Sequence, residues 1–134
     1  MKIALIGCVK KKADIPCIAK DMYISPLFKG SYRLAKKMGA EKIFILSAKY
    51  GLIEENKIIV PYNMTLNNKT ENNKKIWAYK VYQSLKKETN LNTDEFIILA
   101  GKNYYKYIIQ KIKYYTIPLE GKSLFERISY LKTI

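Results

Sequence analysis

The chain has 134 residues, 49% of them hydrophobic, and a formal net charge of +14 from 25 Lys and Arg against 11 Asp and Glu. That length and apolar content suit one globular domain over residues 1–134 and exclude a disordered chain. No apolar run approaches the roughly 18 residues of a membrane span, and the absence of histidine excludes a Ser-His-Asp triad, a Cys-His dyad and any His-containing zinc site.

Strand, loop and helix recur four times along the chain. This predicts an α/β fold, a three-layer α/β/α sandwich built on a mostly parallel sheet of about four strands. The first strand is expected at Lys2–Gly7, followed by a long loop through Pro16 and Ser25-Pro26. A helix over 30–38 would bury Leu34, Ala35 and Met38, with Gly39 as its stop. The second strand is Lys42–Ser47. Residues 48–66 read as irregular, with a short extended piece at 58–60 that Pro61 interrupts. Thr70 suits the N-cap of a helix running to about residue 87, with Trp77, Ala78, Val81 and Leu85 on its core face. The third strand is Glu95–Leu99. A helix over 103–113 would turn Tyr105, Ile108, Ile109 and Ile112 inward. A fourth strand at 115–117 and a helix over 123–132, burying Leu124, Ile128 and Leu131, complete the pattern.

The four strands end in loops of unusual content. These are Gly7-Cys8-Val9-Lys10-Lys11-Lys12, Ser47-Ala48-Lys49-Tyr50-Gly51-Leu52, Ala100-Gly101-Lys102-Asn103-Tyr104 and Pro118-Leu119-Glu120-Gly121. Open α/β sheets bind ligands beyond the carboxyl ends of their strands, so the four loops are expected to share one site.

Within it, Gly7 permits a tight turn or a close approach. Cys8, next to three lysines, suits a nucleophile, because cations favour the thiolate; the alternative is a small buried hydrophobe. Lys10 and its neighbours suit phosphate as point charges, although no Walker A spacing is present. Tyr23, Ser25 and Phe28 lie in the loop Asp21-Met22-Tyr23-Ile24-Ser25-Pro26-Leu27-Phe28, where the rings either stack on a base or plug the sheet's end. Lys49, Tyr50, Gly51 and Tyr62 supply a cation, hydroxyls, flat faces and a turn with positive φ. Gly101 leads into a helix N-terminus, an arrangement that receives anions. Among the acids, Glu120 is best placed to face the shared edge, as a general base for water or a partner for a ligand hydroxyl. The alternative for Glu120 is a charge favouring the following helix through its dipole.

The charge itself is open to two readings. It favours nucleic acid, phosphates or anionic lipid. Yet nearly all the cations are Lys, in a chain also rich in Ile, Asn and Tyr, a composition that an AT-rich genome produces whatever the function. Cys8 and Cys17 do not form a disulfide framework and cannot by themselves close a zinc site, so neither metal nor cofactor is expected. The N-terminus lacks the order of charges, apolar stretch and cleavage site of a signal peptide, so the expected location is cytoplasmic, with no membrane partner.

Taken together, Gly7-Cys8-Val9-Lys10, the loop from Asp21 to Phe28, Leu46-Ser47-Ala48-Lys49-Tyr50-Gly51-Leu52, Pro61-Tyr62, Ala100-Gly101-Lys102-Asn103-Tyr104 and Pro118-Leu119-Glu120-Gly121 resemble a family of small bacterial and phage domains of unknown function. Residues 46–62 are also similar to the YaaA peroxide-stress family, which carries a comparable Leu-Ser…Tyr-Gly…Pro-Tyr stretch and is associated with DNA binding and protection from oxidative damage. A fainter similarity runs to a domain of archaeal enzymes that modify a deazaguanine base in tRNA. The chain is much shorter than a YaaA protein and has no helix-hairpin-helix glycine signature. The resemblance implies a nucleic-acid or nucleotide-related role.

The expected function is therefore binding of nucleic acid or a nucleobase-containing ligand at the strand edge, with base modification or removal as its chemistry if it is an enzyme. The alternatives are a small-molecule enzyme using Cys8 as nucleophile, and a non-catalytic stress-response or interaction module.

Overall fold

A computed structural model describes residues 1–134. Its centre is three parallel strands, β1 (Lys2–Gly7), β3 (Lys42–Ser47) and β6 (Glu95–Leu99), with β1 between the other two. Each is a near-continuous apolar run because both of its faces are covered. Alternate residues divide between two cores. Ile3, Leu5, Phe44, Leu46, Phe96 and Ile98 pack with Trp77, Val81 and Leu85 of α3 (Glu71–Glu88). Ala4, Ile6, Ile43, Ile45, Ile97 and Leu99 pack with Phe28 and Leu34 of α2 (Pro26–Lys37) and Leu131 of α5 (Leu124–Leu131). The chain is thus an α/β fold with helices on both faces of a mostly parallel sheet.

The sheet has five strands rather than four. Its order is β4-β3-β1-β6-β7, with β7 (Tyr114–Thr116) parallel to β6 and β4 (Gly51–Glu54) antiparallel to β3. β4 lies in the stretch expected to be irregular. It is four residues long, and its hairpin turn carries no Asn-Gly or Asp-Gly signal. Gly51, at φ +74°, opens it, as expected of a glycine there. The short piece near residue 58 exists as β5 (Ile58–Ile59), paired outside the main sheet with β2 (Cys17–Ile18), which precedes the four-residue α1 (Ala19–Met22).

Two helices differ from expectation. α2 starts at Pro26, four residues before Gly30. Ser25 is its N-cap, accepting from Phe28 N at 3.2 Å, and Pro26 takes the first helical position, where its missing N–H costs nothing. Gly30 lies inside the helix because a Cβ there would come 2.7 Å from Leu131 Cβ. The helix expected over 103–113 is only α4 (Lys102–Tyr105), followed by a turn and a 3-10 segment at Ile109–Lys111. Tyr105, Ile108 and Ile112 are nonetheless buried, and Ile109 is half-buried, so the apolar spacing described burial correctly for three of the four residues and helix continuity wrongly. Aromatic and β-branched residues dominate this stretch and favour helix weakly. No helix is long and apolar enough to cross a membrane.

Candidate functional site

The crossover from β1 leads to β3 on one side, and β6 lies on the other, so the topological switch point falls between β1 and β6. The two strand ends meet tightly there. A Cβ on Gly7 would lie 2.9 Å from Ala100 Cβ, so only glycine admits this approach.

Cys8 follows immediately and is half-buried. Its thiol donates to Tyr104 Oη at 3.4 Å. That hydroxyl also accepts from Leu66 N at 3.2 Å and lies 3.4 Å from Thr65 Oγ1. Burial, with Cys8 beside it, pushes the Tyr104 phenol up to about 12.

A second hydroxyl chain lies next to it. Ser47, buried at the end of β3, accepts from Lys49 N and Tyr50 N and donates to Tyr62 Oη at 2.8 Å. Tyr62 Oη is 2.6 Å from Tyr23 Oη. Three hydroxyls joined by two bonds leave one O–H over, on the phenol pair whose charge state Cys8 influences. Burial raises both phenols far above the ordinary tyrosine range, so at neutral pH they are hydrogen-bonding groups and not bases. Trp77 locks the strand end from the other face, its Nε1 donating to Ser47 O at 2.9 Å.

The lysine run crosses this floor. Its backbone is tied down, with Ala13 N donating to Met22 O and Ile24 N to Lys11 O. Lys12 Nζ stands 4.5 Å above the Tyr62 ring. Burial lowers the Lys12 ammonium pKa, and the neighbouring Cys8 opposes that shift. Lys10 and Lys11 are exposed.

Above the floor opens a cleft of about 680 Å³. Of the residues proposed from the sequence it brings together Cys8, Lys10, Ser25, Gly101 and Tyr104. Lys11, Lys12 and Arg127 supply further cations, Asn63 and Asn67 polar groups, and Leu27, Leu124 and Ile128 an apolar wall; no Asp or Glu lines it. Two grooves elsewhere do include an acid, Asp21 beside Lys20 and Lys29 in one and Glu95 beside Lys2 and Lys113 in the other. Lysines line those grooves too, but here no carboxylate offsets them.

Other proposed residues fall elsewhere. Lys49, Tyr50 and Gly51 line a neighbouring cleft of about 340 Å³ behind the β3–β4 turn. Tyr23 is fully buried, its ring 5.0 Å from Phe28, so it plugs the sheet's end and has no face to offer a base. One face of Tyr62 is taken by Lys12, and the edge of Tyr50 meets it at 5.5 Å. Gly101 is no dipole-driven anion site, because the helix it caps has four residues and no developed dipole. Gly7 and Glu120 line a separate recess of about 50 Å³ that shares Cys8, Gly101 and Arg127 with the cleft. Glu120 is exposed and enters no ion pair, and it lies close enough to Tyr105, with Arg127, to bias that phenol.

The sequence reading named Ser47 only as part of its loop, with no role of its own, and did not name Arg127. A polar residue closing an apolar strand was the available signal for Ser47. Arg127 left none, since α5 alone carries it to the cleft.

A family model described as a family of unknown function, DUF6884, matches residues 3–133. No curated protein matches the chain.

Proposed function

The chain belongs to the DUF6884 family of unknown function, and we propose that it binds a phosphorylated nucleobase ligand in the cleft at the β1/β6 switch point. The observation that carries this reading is the cleft's lining. Lys10, Lys11, Lys12 and Arg127 line it without a carboxylate, together with the apolar Leu27, Leu124 and Ile128. Ligand sites combine apolar surface with a few placed polar groups in volumes of about 300–1,000 Å³, and a nucleotide is apolar at the base and anionic at the phosphate. The Tyr104 hydroxyl and the amides of Asn63 and Asn67 offer donors and acceptors for a base edge. The base is held by the apolar wall, not by the tyrosine rings. The similarity of residues 46–62 to the YaaA peroxide-stress family points the same way and adds a role in oxidative stress.

If the protein is catalytic, Glu120 is the base. The recess it lines has room for a few waters, at about 10–15 Å³ each. Glu120 takes a proton from one of them, the water oxygen bonds to the sugar C1′, the C1′–N bond breaks with its electron pair going to the base, and the base nitrogen takes up the proton held by Glu120, which restores the carboxylate. Glu120→Ala is expected to abolish base release with folding and binding retained; base release that survives the substitution removes Glu120 from the mechanism.

Binding is tested with fluorescent nucleotides and the matching uncharged nucleosides across a salt series. Nucleotides should bind more tightly than nucleosides and lose affinity with salt. Replacing exposed Lys10 and Lys11 with Gln should cost about 0.4–2 kcal/mol together, or roughly two- to thirtyfold in affinity. Equal binding of nucleotide and nucleoside, or none of either, overturns the proposal.

A second reading rests on the Cys8–Tyr104 contact at the cleft floor. There Cys8 would be the nucleophile of a small-molecule enzyme. An activity that survives Cys8→Ser excludes it.

A further inference from the structure

We infer that the ligand is a polymer, a single strand of nucleic acid that leaves the first cleft, crosses the loop 63–69 and enters the second. This rests on the reading of the first cleft as a nucleotide site and extends it to the substrate class.

The two clefts share a wall. Asn63, Met64, Thr65 and Asn67 line the cleft at the switch point, while Leu66 and Lys69 line the cleft behind the β3–β4 turn. Residues from one loop thus divide between them. The Cα atoms of Asn67 and Lys69 are at most about 7 Å apart, so the residues lining the two clefts adjoin within one loop, and a strand leaving the first cleft at Asn67 meets the second at Lys69.

The loop is a fixed ridge. Leu66 is buried, and its N–H donates to Tyr104 Oη at 3.2 Å. Asn103 Nδ2 donates to Asn67 Oδ1 at 2.9 Å, and Lys69 N to Leu66 O at 3.1 Å. The hydroxyl that touches Cys8 in the first cleft is thus the one that holds the ridge.

The second cleft repeats the charge pattern of the first. Lys49, Lys69 and Lys80 line it, all exposed, and no carboxylate does. Exposed Ile76, with the largely buried Trp77 beside it, provides its apolar surface. A single nucleotide fills one cleft and leaves the other without an occupant. A duplex keeps its bases stacked and paired, so it offers base edges in its grooves but no splayed base face to an apolar surface. A single strand offers both the splayed bases that an apolar wall needs and the regular phosphates that two cation sets need.

The experiment measures binding of a mononucleotide, a six-nucleotide single strand and the corresponding duplex, in DNA and RNA, to three proteins. These are the wild type, a path variant (Lys49→Gln, Lys69→Gln, Lys80→Gln) and a control variant with the same charge reduction (Lys36→Gln, Lys37→Gln, Lys87→Gln). The control lysines lie in the last turns of α2 and α3, at the opposite end of the sheet. The six-mer should bind the wild type more tightly than the mononucleotide or the duplex. The path variant should lose that advantage and keep its mononucleotide affinity. Its salt slope should be shallower by about 2, because each phosphate that a lysine no longer neutralises takes about 0.7 off the slope, so between about 50 and 200 mM salt the wild type weakens roughly twentyfold more than the variant.

A six-mer that binds no better than the mononucleotide overturns the path and leaves the first cleft's reading intact. No binding of either overturns both. Equal weakening in the control and path variants reduces the effect to diffuse charge and overturns the path, and a duplex that binds as tightly as the six-mer overturns the single-strand assignment.

Discussion

Helices α3 and α5 read alike in the sequence. Each follows a hydroxyl N-cap, Thr70 or Ser123, carries an acid in its first turn, and spaces apolar residues along one face. In the structure they part. Trp77, Ala78, Val81 and Leu85 of α3 are all buried against the sheet. Of the three residues expected inward on α5, Leu131 alone is buried; Ile128 is half-buried and Leu124 is 60% exposed, with Phe125 beside it at 79%. Helical spacing says that a face is apolar. It does not say what covers it. On α3 the cover is the sheet; on α5 the N-terminal half overhangs the cleft, and we assign its cover to the ligand.

The largest expected effect tests the covered helix. Trp77→Ala should destabilise the fold by about 3–5 kcal/mol, the range for large aromatic truncations in cores. It removes a buried ring, a T-shaped contact with Tyr104 at 5.5 Å and the hydrogen bond that fixes the end of β3. Urea unfolding reads this as a lower midpoint, and a midpoint unchanged from wild type would show α3 to be less committed to the core than its burial implies.

A smaller effect tests how α3 is pinned at its start. Glu71 joins Lys74, Lys106 and the Tyr107 hydroxyl, tying the helix to α4. The hydrogen bonds from Lys106, Tyr107 and Lys74 hold its carboxyl down at about 2, against an ordinary 4.5. A lowered folded-state pKa contributes stability above the unfolded value, and that contribution is lost as pH falls through the folded one. Wild type should therefore exceed Glu71→Gln in stability at neutral pH, and the gap should close between pH 4.5 and about 2. A gap that does not vary with pH would show that Glu71 acts through shape and not charge. Glu126 in α5 also lies below its ordinary range, mainly through the Ser123 capping box with a smaller pull from Lys122, and ties no second element.

The smallest effect on stability belongs to the open helix. Leu124→Ser should change unfolding by less than about 0.5 kcal/mol, as exposed substitutions do, while weakening nucleotide binding by removing part of the apolar wall. A marked fall in stability would place Leu124 in the core after all and remove the contrast between the helices.

Much of the architecture was legible. The three central strands were found at their observed limits because burial on both faces leaves unbroken apolar runs. Thr70, Gly39 and Gly51 marked their boundaries by capping and by φ. The ends of α2 were harder, since Ser25-Pro26 serves a turn and a helix start equally well. The site was legible in part. Cys8, Lys10, Ser25, Gly101 and Tyr104 do converge, because strand ends in a parallel sheet share an edge. Tyr23 did not join them at the cleft, since a ring's exposure depends on what packs over it.

By itself, then, the amino-acid order determined the class of fold, its central strands and the edge at which loops rich in Lys, Tyr and Gly gather. These follow from local rules of burial, capping and chain direction. The tertiary structure decided which charges stand together without an acid, which hydroxyls join beneath them, and that Arg127 and Leu124 close the cleft from the far end of the chain. Such properties depend on distances between residues as far apart as 8 and 104, and local preferences do not encode those distances.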